Sequence, residues 1–501
     1  MKFMDRLERL EQGIGQAVGF SKGFGTFEKA DIANRIRTVM DDESYIDPNE
    51  MLMAPNIYAV NFSPADFDRI REWGNPFAIE LCDLAISHAR AQGYSLIGAV
   101  RITFHSLPEV HPGDFQVVPT FEYFSTPPAQ GALPVQTPWN SLAPYKKQAA
   151  AHPDGICDLS VGTPVDPTPA LIREALAGAC DAPGYPAVVG TAEVREAILA
   201  WGARRNMVDV GEAGVIPTIG SKEAVAWIPT LLGAGPGDTV LVPEVAYPTY
   251  DVGARLAGAV PVPVDPLRPG SWPDAAMVFL NSPGNPDGHV MDADQLRAAI
   301  AWARSKGAVI VSDECYAALP WAEPYVSGGV PSLLDADVCG GDPSGLVVLY
   351  SLSKQSNLAG YRAALVYGDP RLVAALVEAR KHSGMMVPAP VQHAMAVALP
   401  DEAHVRCQRD VYGARRARLL DAVGSAGLVN DPRSVAGLYL WLGCPGVDDD
   451  WELVRRFADL GILVAPGAFY GDAARGRVRM ALTATDERIG AAASRIASHW
   501  G

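Results

Sequence analysis

The feature that most constrains the fold is a set of six short apolar runs after residue 200. The runs are almost continuously apolar, and stretches with helical patterns lie among them. Strands that helices cover on both faces have this composition, whereas a half-buried strand alternates apolar and polar residues. The pattern predicts an α/β fold with a mainly parallel sheet. The runs span residues 215–219, 239–242, 276–280, 308–311, 346–350 and 363–367.

Composition changes near residue 123 and divides the chain. At roughly 100–200 residues per domain, the length of 501 residues corresponds to about three folding units. Residues 123–138 are rich in proline and small residues, which is typical of a linker. Residues 1–122 predict a small α+β module without a cluster of catalytic residue types. Its predicted elements are a helix with apolar residues Leu7, Leu10, Ile14 and Val18, strands at 57–62, 96–104 and 115–118, a helix beginning at Ser63-Pro64, and a helix at 77–91.

Charge and cysteine content exclude several classes of protein. The 41 Lys and Arg against 57 Asp and Glu leave a net charge of −16, which disfavours binding to a nucleic-acid backbone. The seven cysteines are scattered without a Cys-x-x-Cys pair, so we expect reduced thiols and no zinc or other metal site. No apolar run approaches the roughly 18–20 residues that span a bilayer, and the N-terminus lacks the apolar stretch of a signal peptide. These features predict a cytoplasmic protein without a membrane or nucleic-acid partner.

Chemically useful side chains follow four of the six runs. Because ligands bind beyond the carboxyl ends of strands in open α/β sheets, we expect these side chains to meet at one edge. Together they supply an amide, a carboxylate, a lysine with serines, and a glycine-serine turn that opens a helix. The segments are Gly220-Ser221-Lys222, NSPGNPDG at 281–288, SDECY at 312–316, and SLSK at 351–354 with GYR at 360–362.

This set of side chains suits pyridoxal phosphate chemistry. A lysine forms a Schiff base with the aldehyde of the cofactor and later moves a proton. A carboxylate beside the pyridine nitrogen keeps that nitrogen protonated, so the ring can accept electrons. A helix N-terminus, hydroxyl groups and an arginine bind the phosphate.

Residues from about 139 to 501 resemble the class I/II aminotransferases of fold type I. That resemblance implies a PLP-dependent transferase fold, with a large domain at about 181–385 and a small α+β domain from 139–180 plus 386–501. It also implies a two-fold homodimer with active sites at the interface. The motifs that carry the likeness are GYP-x-x-x-GT (184–191), PEVAYPTY (243–250), NSPGNPDG (281–288), SDECY (312–316), SLSKQSNLAGYR (351–362) and RVRMALT (477–483).

The resemblance assigns five residues to the cofactor ring. Lys354 is the Schiff-base lysine, and Asp313 pairs with the pyridine nitrogen. Asn285 and Tyr316 hydrogen-bond the ring oxygen, while Tyr247 stacks on the ring. Among these, Lys354, Asp313 and Tyr316 are the expected catalytic residues.

The same resemblance assigns residues to the phosphate and to the substrate. Arg479 binds the substrate α-carboxylate with Gly162 close by, and Tyr185 reaches the phosphate of a neighbouring subunit. The residues assigned to the phosphate of the same subunit are Ser221, Ser351, Ser353 and Arg362, with backbone N–H groups of Gly220 and Lys222.

The chain departs from the family pattern at three places. Asp287 stands where the family usually has threonine, and Ala364 follows the arginine where glycine is common. Residues 186–189 place no polar residue between Tyr185 and Gly190. The first two departures remove no assigned cofactor contact, and the third bears on the role of Tyr185 across subunits.

Longer stretches resemble the actinobacterial N-succinyldiaminopimelate aminotransferases of lysine biosynthesis. They include SVGTPVDPTP (160–169), RKHSGMMVPAPVQ (380–392) and ILVAPGAFYG (462–471). The resemblance implies amino transfer between glutamate and N-succinyl-2-amino-6-oxopimelate, with 2-oxoglutarate as the co-product. Extra substrate carboxylates require extra cations, for which the candidates are Arg380, Lys381, His382 and Lys222; a solvated helix face explains the cluster at 380–382 equally well.

Residues 1–122 resemble the N-terminal domain that precedes a forkhead-associated module in actinobacterial signalling proteins. APNIYAVNFSPADFDRI (54–70), HARAQGYSLIGAVRITF (88–104) and PGDFQVV (112–118) carry the likeness, which implies a module that binds protein. Two other functions stay open for the whole chain. One is a different fold-type-I activity, such as an aspartate-type transaminase or a β-lyase. The other is an interaction scaffold that acts mainly through residues 1–122.

Overall fold

The computed structural model describes residues 27–46, 52–71, 73–96, 100–120 and 138–500. These residues form two compact units, one within Met1–Gln136 and one within Thr137–Gly501. The apolar repeat at residues 7–18 lies outside the described residues, as does the predicted linker at 123–138 except for its last residue. No helix in the described ranges is long and apolar enough to cross a membrane. All seven cysteines fall within these ranges and are unpaired, as predicted.

The N-terminal unit contains two small sheets and three helices in its described part. Its strands are β1 (Tyr45–Ile46), β2 (Leu52–Ala54), β3 (Ile57–Phe62), β4 (Ser95–Leu96), β5 (Arg101–Ser106) and β6 (Phe115–Thr120), and its helices are Lys29–Asp42, Pro64–Arg71 and Gly74–Gln92. Strand β3 pairs in parallel with β5 and antiparallel with β6, while β2 lies between β1 and β4. Ile36, Tyr58 and Leu81 are buried in the shared core of the sheet and helices. The predicted α+β character of this module is confirmed.

Ser63 begins the second helix of this unit in the way the sequence predicts. Its hydroxyl oxygen accepts a hydrogen bond from the backbone N–H of Asp66 at 3.2 Å and donates to the Asp66 carboxylate at 2.7 Å. Pro64 occupies the first helical position, where its missing N–H has no intrahelical partner in any case. Of the predicted strand at 96–104, Leu96 belongs to β4 and residues 101–104 belong to β5, while residues 97–99 lie outside the described residues.

The described part of the second unit contains thirteen strands in three sheets. They are β7 (Cys157–Asp158), β8 (Val215–Ile219), β9 (Thr239–Pro243), β10 (Val260–Val264), β11 (Met277–Asn281), β12 (Val309–Asp313), β13 (Leu346–Ser351), β14 (Ala363–Gly368), β15 (Val429–Asn430), β16 (Tyr439–Gly443), β17 (Ile462–Leu463), β18 (Ala465–Pro466) and β19 (Arg477–Ala481). The largest sheet has seven strands in the order β10-β9-β11-β12-β13-β14-β8. Its neighbours pair in parallel except where β14 pairs with β13 and β8, so the mainly parallel sheet is confirmed.

Apolar cores cover both faces of the seven-stranded sheet. Val347 and Val348 are adjacent on β13, and successive strand residues point to opposite faces. Val348 packs in one core with Ile300, and Val347 packs in the other with Phe279. This double burial is why the strands read as continuous apolar runs.

A second, four-stranded sheet has the order β15-β16-β19-β18, and β17 pairs in parallel with β7. A separate apolar core that includes Tyr439, Phe457 and Ile489 lies against it. The helices of the second unit are Ala143–Ala150, Ala170–Gly178, Ala192–Arg204, Ser221–Leu231, Thr249–Leu256, Ala293–Lys306, Tyr325–Gly328, Ala336–Cys339, Leu352–Gln355, Pro370–His382, Ala389–Ala398, Glu402–Ser425, Asp450–Asp459 and Asp486–His499. Short 3-10 helices span Pro138–Leu142, Glu212–Gly214, Pro269–Ser271, Ala359–Tyr361, Gly467–Tyr470 and Asp472–Ala474.

The helix Ala389–Ala398 shares the core of the larger sheet. It packs against Ala170–Gly178 and Ala192–Arg204, and its Met395 side chain is buried there. The division of this unit at residue 385 stays a prediction, and this packing favours a boundary nearer residue 400.

Candidate active site

The carboxyl ends of the central strands open onto a cavity of about 600 Å³. Asn281 and Asp313, the last residues of β11 and β12, are paired in register, and Asp313 pairs with Leu349 of β13. This register brings side chains that are far apart in sequence to one edge of the sheet. The cavity is lined by Trp139, Val161, Gly162, Thr163, Ser221, Lys222, Tyr247, Tyr250, Asn281, Asn285, Asp313, Cys315, Tyr316, Ser351, Ser353, Lys354, Ala359, Gly360, Arg362, Tyr439 and Arg479.

Lys354 lies on a single helical turn, Leu352–Gln355, directly after β13. The hydroxyl oxygen of Ser351 caps this turn by accepting from the backbone N–H of Ser353 at 3.1 Å. The ammonium Nζ of Lys354 donates to the carbonyl oxygen of Gly162. Burial lowers the pKa of Lys354, and the nearby Arg479 and Arg362 guanidinium groups lower it further. A lysine with a lowered pKa is more readily neutral, as a nucleophile or proton carrier must be.

Asp313 presents a buried carboxylate on the floor of the cavity. Its Oδ2 accepts from the hydroxyl of Tyr250 at 2.9 Å, and its Oδ1 accepts from the backbone N–H of Cys315 at 3.2 Å. Burial raises the pKa of Asp313, while these donors oppose the rise. Two donors on a buried carboxylate favour its charged form, which is the form that pairs with a protonated ring nitrogen.

A helix N-terminus and an arginine meet beside Gly220. Gly220 precedes the helix Ser221–Leu231 and has φ +77° and ψ 153°, a conformation that other residues rarely adopt. A Cβ atom at this position would lie 2.1 Å from Nη2 of Arg362. Arg362 itself has φ +58°, and its Nη1 donates to the carbonyl oxygen of Ala359 at 2.8 Å. The backbone N–H groups of a helix start and a guanidinium together form an anion-binding arrangement.

Arg479 is the second arginine of the cavity. It lies on β19, is 4% exposed, and donates to Oδ1 of Asn285 at 2.9 Å and to the carbonyl oxygen of Ser160 at 2.6 Å. Its guanidinium lies 4.1 Å from the ring centroid of Tyr439, and its buried Nε has no partner among the described residues. Arg477, two residues earlier, is partly exposed and outside the cavity lining. Of these two arginines, only Arg479 faces the cavity.

The remaining residues assigned to the ring also line the cavity. The backbone N–H of Asn285 donates to Asn281 Oδ1 at 2.7 Å. The hydroxyl oxygens of Tyr316 and Tyr439 are 3.3 Å apart. Lys222 Nζ lies 5.8 Å from the ring centroid of Tyr247.

Tyr185 and the cluster at residues 380–382, for which the sequence suggested roles in binding, do not line the cavity. Tyr185 is 98% exposed and absent from the cavity lining, so its role toward a neighbouring subunit stays a prediction. Arg380 is wrong as a candidate cation for substrate, because it is buried and its guanidinium binds the carboxylate of Glu223 at 2.7 and 3.2 Å. Lys381 and His382 are exposed beside Glu378 and away from the cavity lining.

Several residues of the cavity were not predicted from the sequence. Tyr250 and Asn281 lie inside the family motifs, but their hydrogen bonds to Asp313 cannot be seen in one-dimensional sequence. Tyr439 packs against Gly162 so closely that a Cβ on the glycine would lie 2.2 Å from the tyrosine hydroxyl oxygen. Trp139 enters the lining from the 3-10 helix Pro138–Leu142.

The model of the family described as aminotransferase class I and II matches residues 154–496. The chain belongs to this aminotransferase family. A second model, described as FhaA, N-terminal domain, matches residues 7–118. Both family resemblances and the expected fold type I are therefore confirmed.

Relatives of this aminotransferase have named activities. The 4-dedimethylamino-4-oxo-anhydrotetracycline transaminase OxyQ of Streptomyces rimosus is 54% identical over 360 residues, which cover 72% of this chain and 98% of that protein. The probable aminotransferase Rv1178 of Mycobacterium tuberculosis is 55% identical over 377 residues, covering 74% and 87%. The structure of a probable N-succinyldiaminopimelate aminotransferase from Thermus thermophilus matches with a TM-score of 0.65 and 30% identity, covering 72% of this chain and 99% of that one.

Class I and II aminotransferases use pyridoxal phosphate, and the residues of this cavity fit it. Lys354 would supply the amine, and Asp313 would supply a buried carboxylate held by two donors. The missing Cβ of Gly220 leaves room for Arg362 against a helix N-terminus, where a phosphate binds. The buried Nε of Arg479 has no partner in the described part of the chain, and a bidentate carboxylate would satisfy it.

Proposed function

We propose that this aminotransferase transfers the amino group between glutamate and N-succinyl-2-amino-6-oxopimelate, in the formation of diaminopimelate and lysine. The observation that carries the proposal is the convergence of Lys354, Asp313 and Arg479 on one cavity of about 600 Å³. The substrate class is supported by the likeness to the Thermus protein, which is named a probable N-succinyldiaminopimelate aminotransferase. Lys222, on the cavity lining, is the remaining candidate cation for a second substrate carboxylate.

The contacts in the cavity suggest a role for each residue toward pyridoxal phosphate. Bound pyridoxal phosphate supplies an electron sink for the carbon from which the proton is removed. Asp313 would hold a proton on the pyridine nitrogen, and Tyr250 and Cys315 donate hydrogen bonds that favour the charged carboxylate for that task. The residues that would hold the phosphate are Gly220, Ser221, Ser351, Ser353 and Arg362. Asn285, Tyr316 and Tyr247 would orient the ring.

Lys354 moves the proton. Its Nζ donates to the carbonyl oxygen of Gly162, and burial, with a further contribution from Arg479 and Arg362, lowers the pKa of Lys354. An amine of lowered pKa gives and takes a proton near neutral pH more easily than a solvated lysine does.

Arg479 orients the substrate through its α-carboxylate. Its guanidinium stacks beside the rings of Tyr439 and Tyr470, at 4.1 and 5.0 Å from their centroids, which fixes its plane. A planar guanidinium in a buried site binds a carboxylate through two parallel hydrogen bonds. The Asn285 and Ser160 oxygens that it now contacts hold it in place for that contact.

A second candidate substrate is a cyclic oxo compound. The relative named as a 4-dedimethylamino-4-oxo-anhydrotetracycline transaminase shares 54% identity over 98% of its own length, which is more than the 30% shared with the Thermus protein. The cofactor contacts do not distinguish these candidates from an aspartate-type transaminase, because the surrounding pocket determines the choice of substrate.

We further propose a cytoplasmic homodimer, in which Tyr185 reaches the phosphate of the partner subunit. The exposure of Tyr185, a large aromatic side chain that is 98% exposed, supports an interface at this loop. The match of residues 7–118 to the FhaA N-terminal domain supports a protein-binding role for the first unit.

A two-step assay tests the substrate. In the first step, glutamate transfers its amino group to the cofactor-loaded chain. In the second step, the aminated protein is mixed with N-succinyl-2-amino-6-oxopimelate, an oxo-anhydrotetracycline or oxaloacetate in separate reactions. We expect the first acceptor to restore the original absorbance at least tenfold faster than the others. A faster reaction with either other acceptor replaces the proposed substrate, and release of ammonia in place of 2-oxoglutarate would identify a lyase.

The cofactor-loaded chain also tests the assignment of Lys354 as the residue that binds the cofactor covalently. Borohydride reduction should fix the cofactor to Lys354, and Lys354→Ala should abolish both half-reactions. Cofactor fixed to another lysine would overturn the site assignment without reference to the substrate.

A further inference from the structure

The long helix Glu402–Ser425 carries a buried polar stripe that faces the segment of the catalytic lysine. His404, Gln408, Tyr412 and Arg415 lie on one side of the helix, as their spacing of three to four residues requires. All four side chains are buried, although their residue types favour the surface. Buried polar side chains at this density need partners, and the structure supplies them from two other segments.

The first segment follows Lys354. The hydroxyl of Ser356 lies 2.8 Å from Nε2 of His404. The amide of Asn357 donates to Oε1 of Gln408 at 2.7 Å. Asn357 has φ +53°, so the chain turns sharply three residues after Lys354 and is fixed there by its side chain.

The second segment is 160–168, which carries Gly162. Asp166 Oδ2 accepts from Nε2 of Gln408 at 3.0 Å, and Arg415 binds the Asp166 carboxylate at 2.6 and 2.8 Å. Near its other end, the carbonyl oxygens of Ser160 and Gly162 accept from Arg479 and Lys354. This segment therefore contacts both cations of the cavity that the reaction uses.

Within the stripe, the Gln408 side chain contacts both segments. It accepts a hydrogen bond from Asn357 in the first segment and donates one to Asp166 in the second. A carboxylate only accepts, so the Gln408 amide nitrogen must face Asp166. Its carbonyl oxygen then faces Asn357, whose amide nitrogen donates to it. A primary amide performs both tasks at once, whereas a carboxylate or an apolar side chain of the same size does not.

We propose that Gln408 is a positioning residue for amino transfer, which ties the segment after Lys354 to the segment that carries Gly162 and thereby fixes Lys354 Nζ relative to the substrate. The proposal rests on the assignment of Lys354 in the proposed function. Small displacements of a catalytic group cost rate more than they cost binding, because the reaction needs a narrow range of geometry.

The test compares Gln408→Glu with the exchange variant Asp166→Asn/Gln408→Glu. The single variant keeps the shape of residue 408 but sets two carboxylates against each other. The exchange variant again places one donor and one acceptor between residues 166 and 408, but it removes the Asp166 charge that Arg415 binds. Asp166→Asn alone is therefore the reference for the exchange variant. Gln148→Glu is the matched control, because Gln148 also donates to a carboxylate, Asp459, at 2.5 Å, but on the surface and away from the cavity lining.

Three measurements are made on each cofactor-loaded chain: the rate constant of the glutamate half-reaction, the dissociation constant for glutamate, and the pH midpoint of the absorbance of the lysine-bound cofactor. We expect Gln408→Glu to lower the rate constant roughly tenfold, to change the dissociation constant less than about threefold, and to move the pH midpoint. The exchange variant should be faster than Asp166→Asn alone and its midpoint closer to that of the parent, and Gln148→Glu should match the parent.

An unchanged rate constant and midpoint in Gln408→Glu would overturn the proposal, as would an exchange variant that is no faster than Asp166→Asn alone. If Gln408→Glu fails to fold, Gln408→Met provides the same comparison without a new charge. The glutamate half-reaction does not involve the second substrate, so an error in the proposed acceptor leaves this result intact. An error in the assignment of Lys354 would show in the parent, through the borohydride experiment.

Discussion

The contact between Gly220 and Arg362 allows one substitution to displace Arg362, the arginine proposed to bind the cofactor phosphate, without removing it. In Gly220→Ala, the new Cβ would lie 2.1 Å from Nη2 and 2.6 Å from Cζ of Arg362. Ordinary contacts of a Cβ atom are at 3.4–4 Å, so the guanidinium must retreat by more than about 1 Å. The clashing atoms are the far end of the Arg362 side chain, so the guanidinium moves and the backbone stays in place. The φ of +77° adds a separate strain, because it disfavours alanine here.

The magnitude follows from what the guanidinium loses. A retreat of more than about 1 Å would break the hydrogen bonds that we propose Arg362 makes to the phosphate, and hydrogen bonds to charged groups contribute about 1.5–3 kcal/mol. At about 1.4 kcal/mol per factor of ten, the dissociation constant of pyridoxal phosphate should rise roughly 10- to 150-fold. The affinity for glutamate, measured at saturating cofactor, should change much less, because Arg479 is untouched.

Cofactor affinity is measured by titration of the cofactor-free chain with pyridoxal phosphate, followed by absorbance. Gly233→Ala is the matched control, since Gly233 follows the same helix with φ +87° and has no described atom within 4 Å of the position of its added Cβ. It reproduces the loss of a left-handed glycine without the clash. Equal cofactor affinity in Gly220→Ala and Gly233→Ala would refute the assignment of Arg362 to the phosphate.

Three further predictions concern Asp313, Glu314 and the first unit. Tyr250→Phe removes a donor that opposes the raised pKa of Asp313; this pKa should rise, the acidic limb of the activity profile should move to higher pH, and an unmoved limb would contradict the contact. Burial raises the pKa of Glu314 to about 7, so the folded state binds its proton more tightly and loses stability as pH rises through 7. Urea unfolding should show the parent losing about 2 kcal/mol relative to Glu314→Gln between about pH 5 and 8, and a constant difference would exclude this effect. Deletion of residues 1–122 should leave both half-reaction rate constants within about threefold, or ~1 kcal/mol, whereas a selective loss of the second half-reaction would show that the module contributes to substrate binding.

The fold was predictable where burial acts on both faces of a strand. The six apolar runs all became strands of the large sheet, because helices cover them on both sides. Val260–Val264 was missed, since it is an edge strand with prolines at alternate positions and partial exposure. An edge tolerates proline, which lacks the N–H that an inner strand needs. The reversed direction of Ala363–Gly368 was also invisible, because an apolar run carries no record of its direction.

The candidate site was predictable where a strand end delivers a side chain directly. Lys354 and Asp313 each stand within three residues of the end of a strand. Partners that arrive from elsewhere could not be found in this way. Tyr250 reaches Asp313 from 63 residues away, and Glu223 neutralises Arg380 from 157 residues away. The sequence gives the charge of a side chain such as Arg380, but it does not show whether that side chain already forms a buried ion pair with a distant residue.

Trp139 gives the start of the second unit a chemical role. It lines the cavity only two residues into Thr137–Gly501, its guanidinium neighbour Arg479 lies 5.9 Å from its ring centroid, and its ring lies 5.1 Å from that of Phe469. Where an expression fragment is cut is therefore a catalytic variable as well as a matter of solubility. We expect a fragment that starts at Thr137 to keep this wall. A fragment that starts at Ala143, the first residue of the next helix, lacks Trp139 and should expose Arg479 to water, so its activity should be lower than that of the longer fragment.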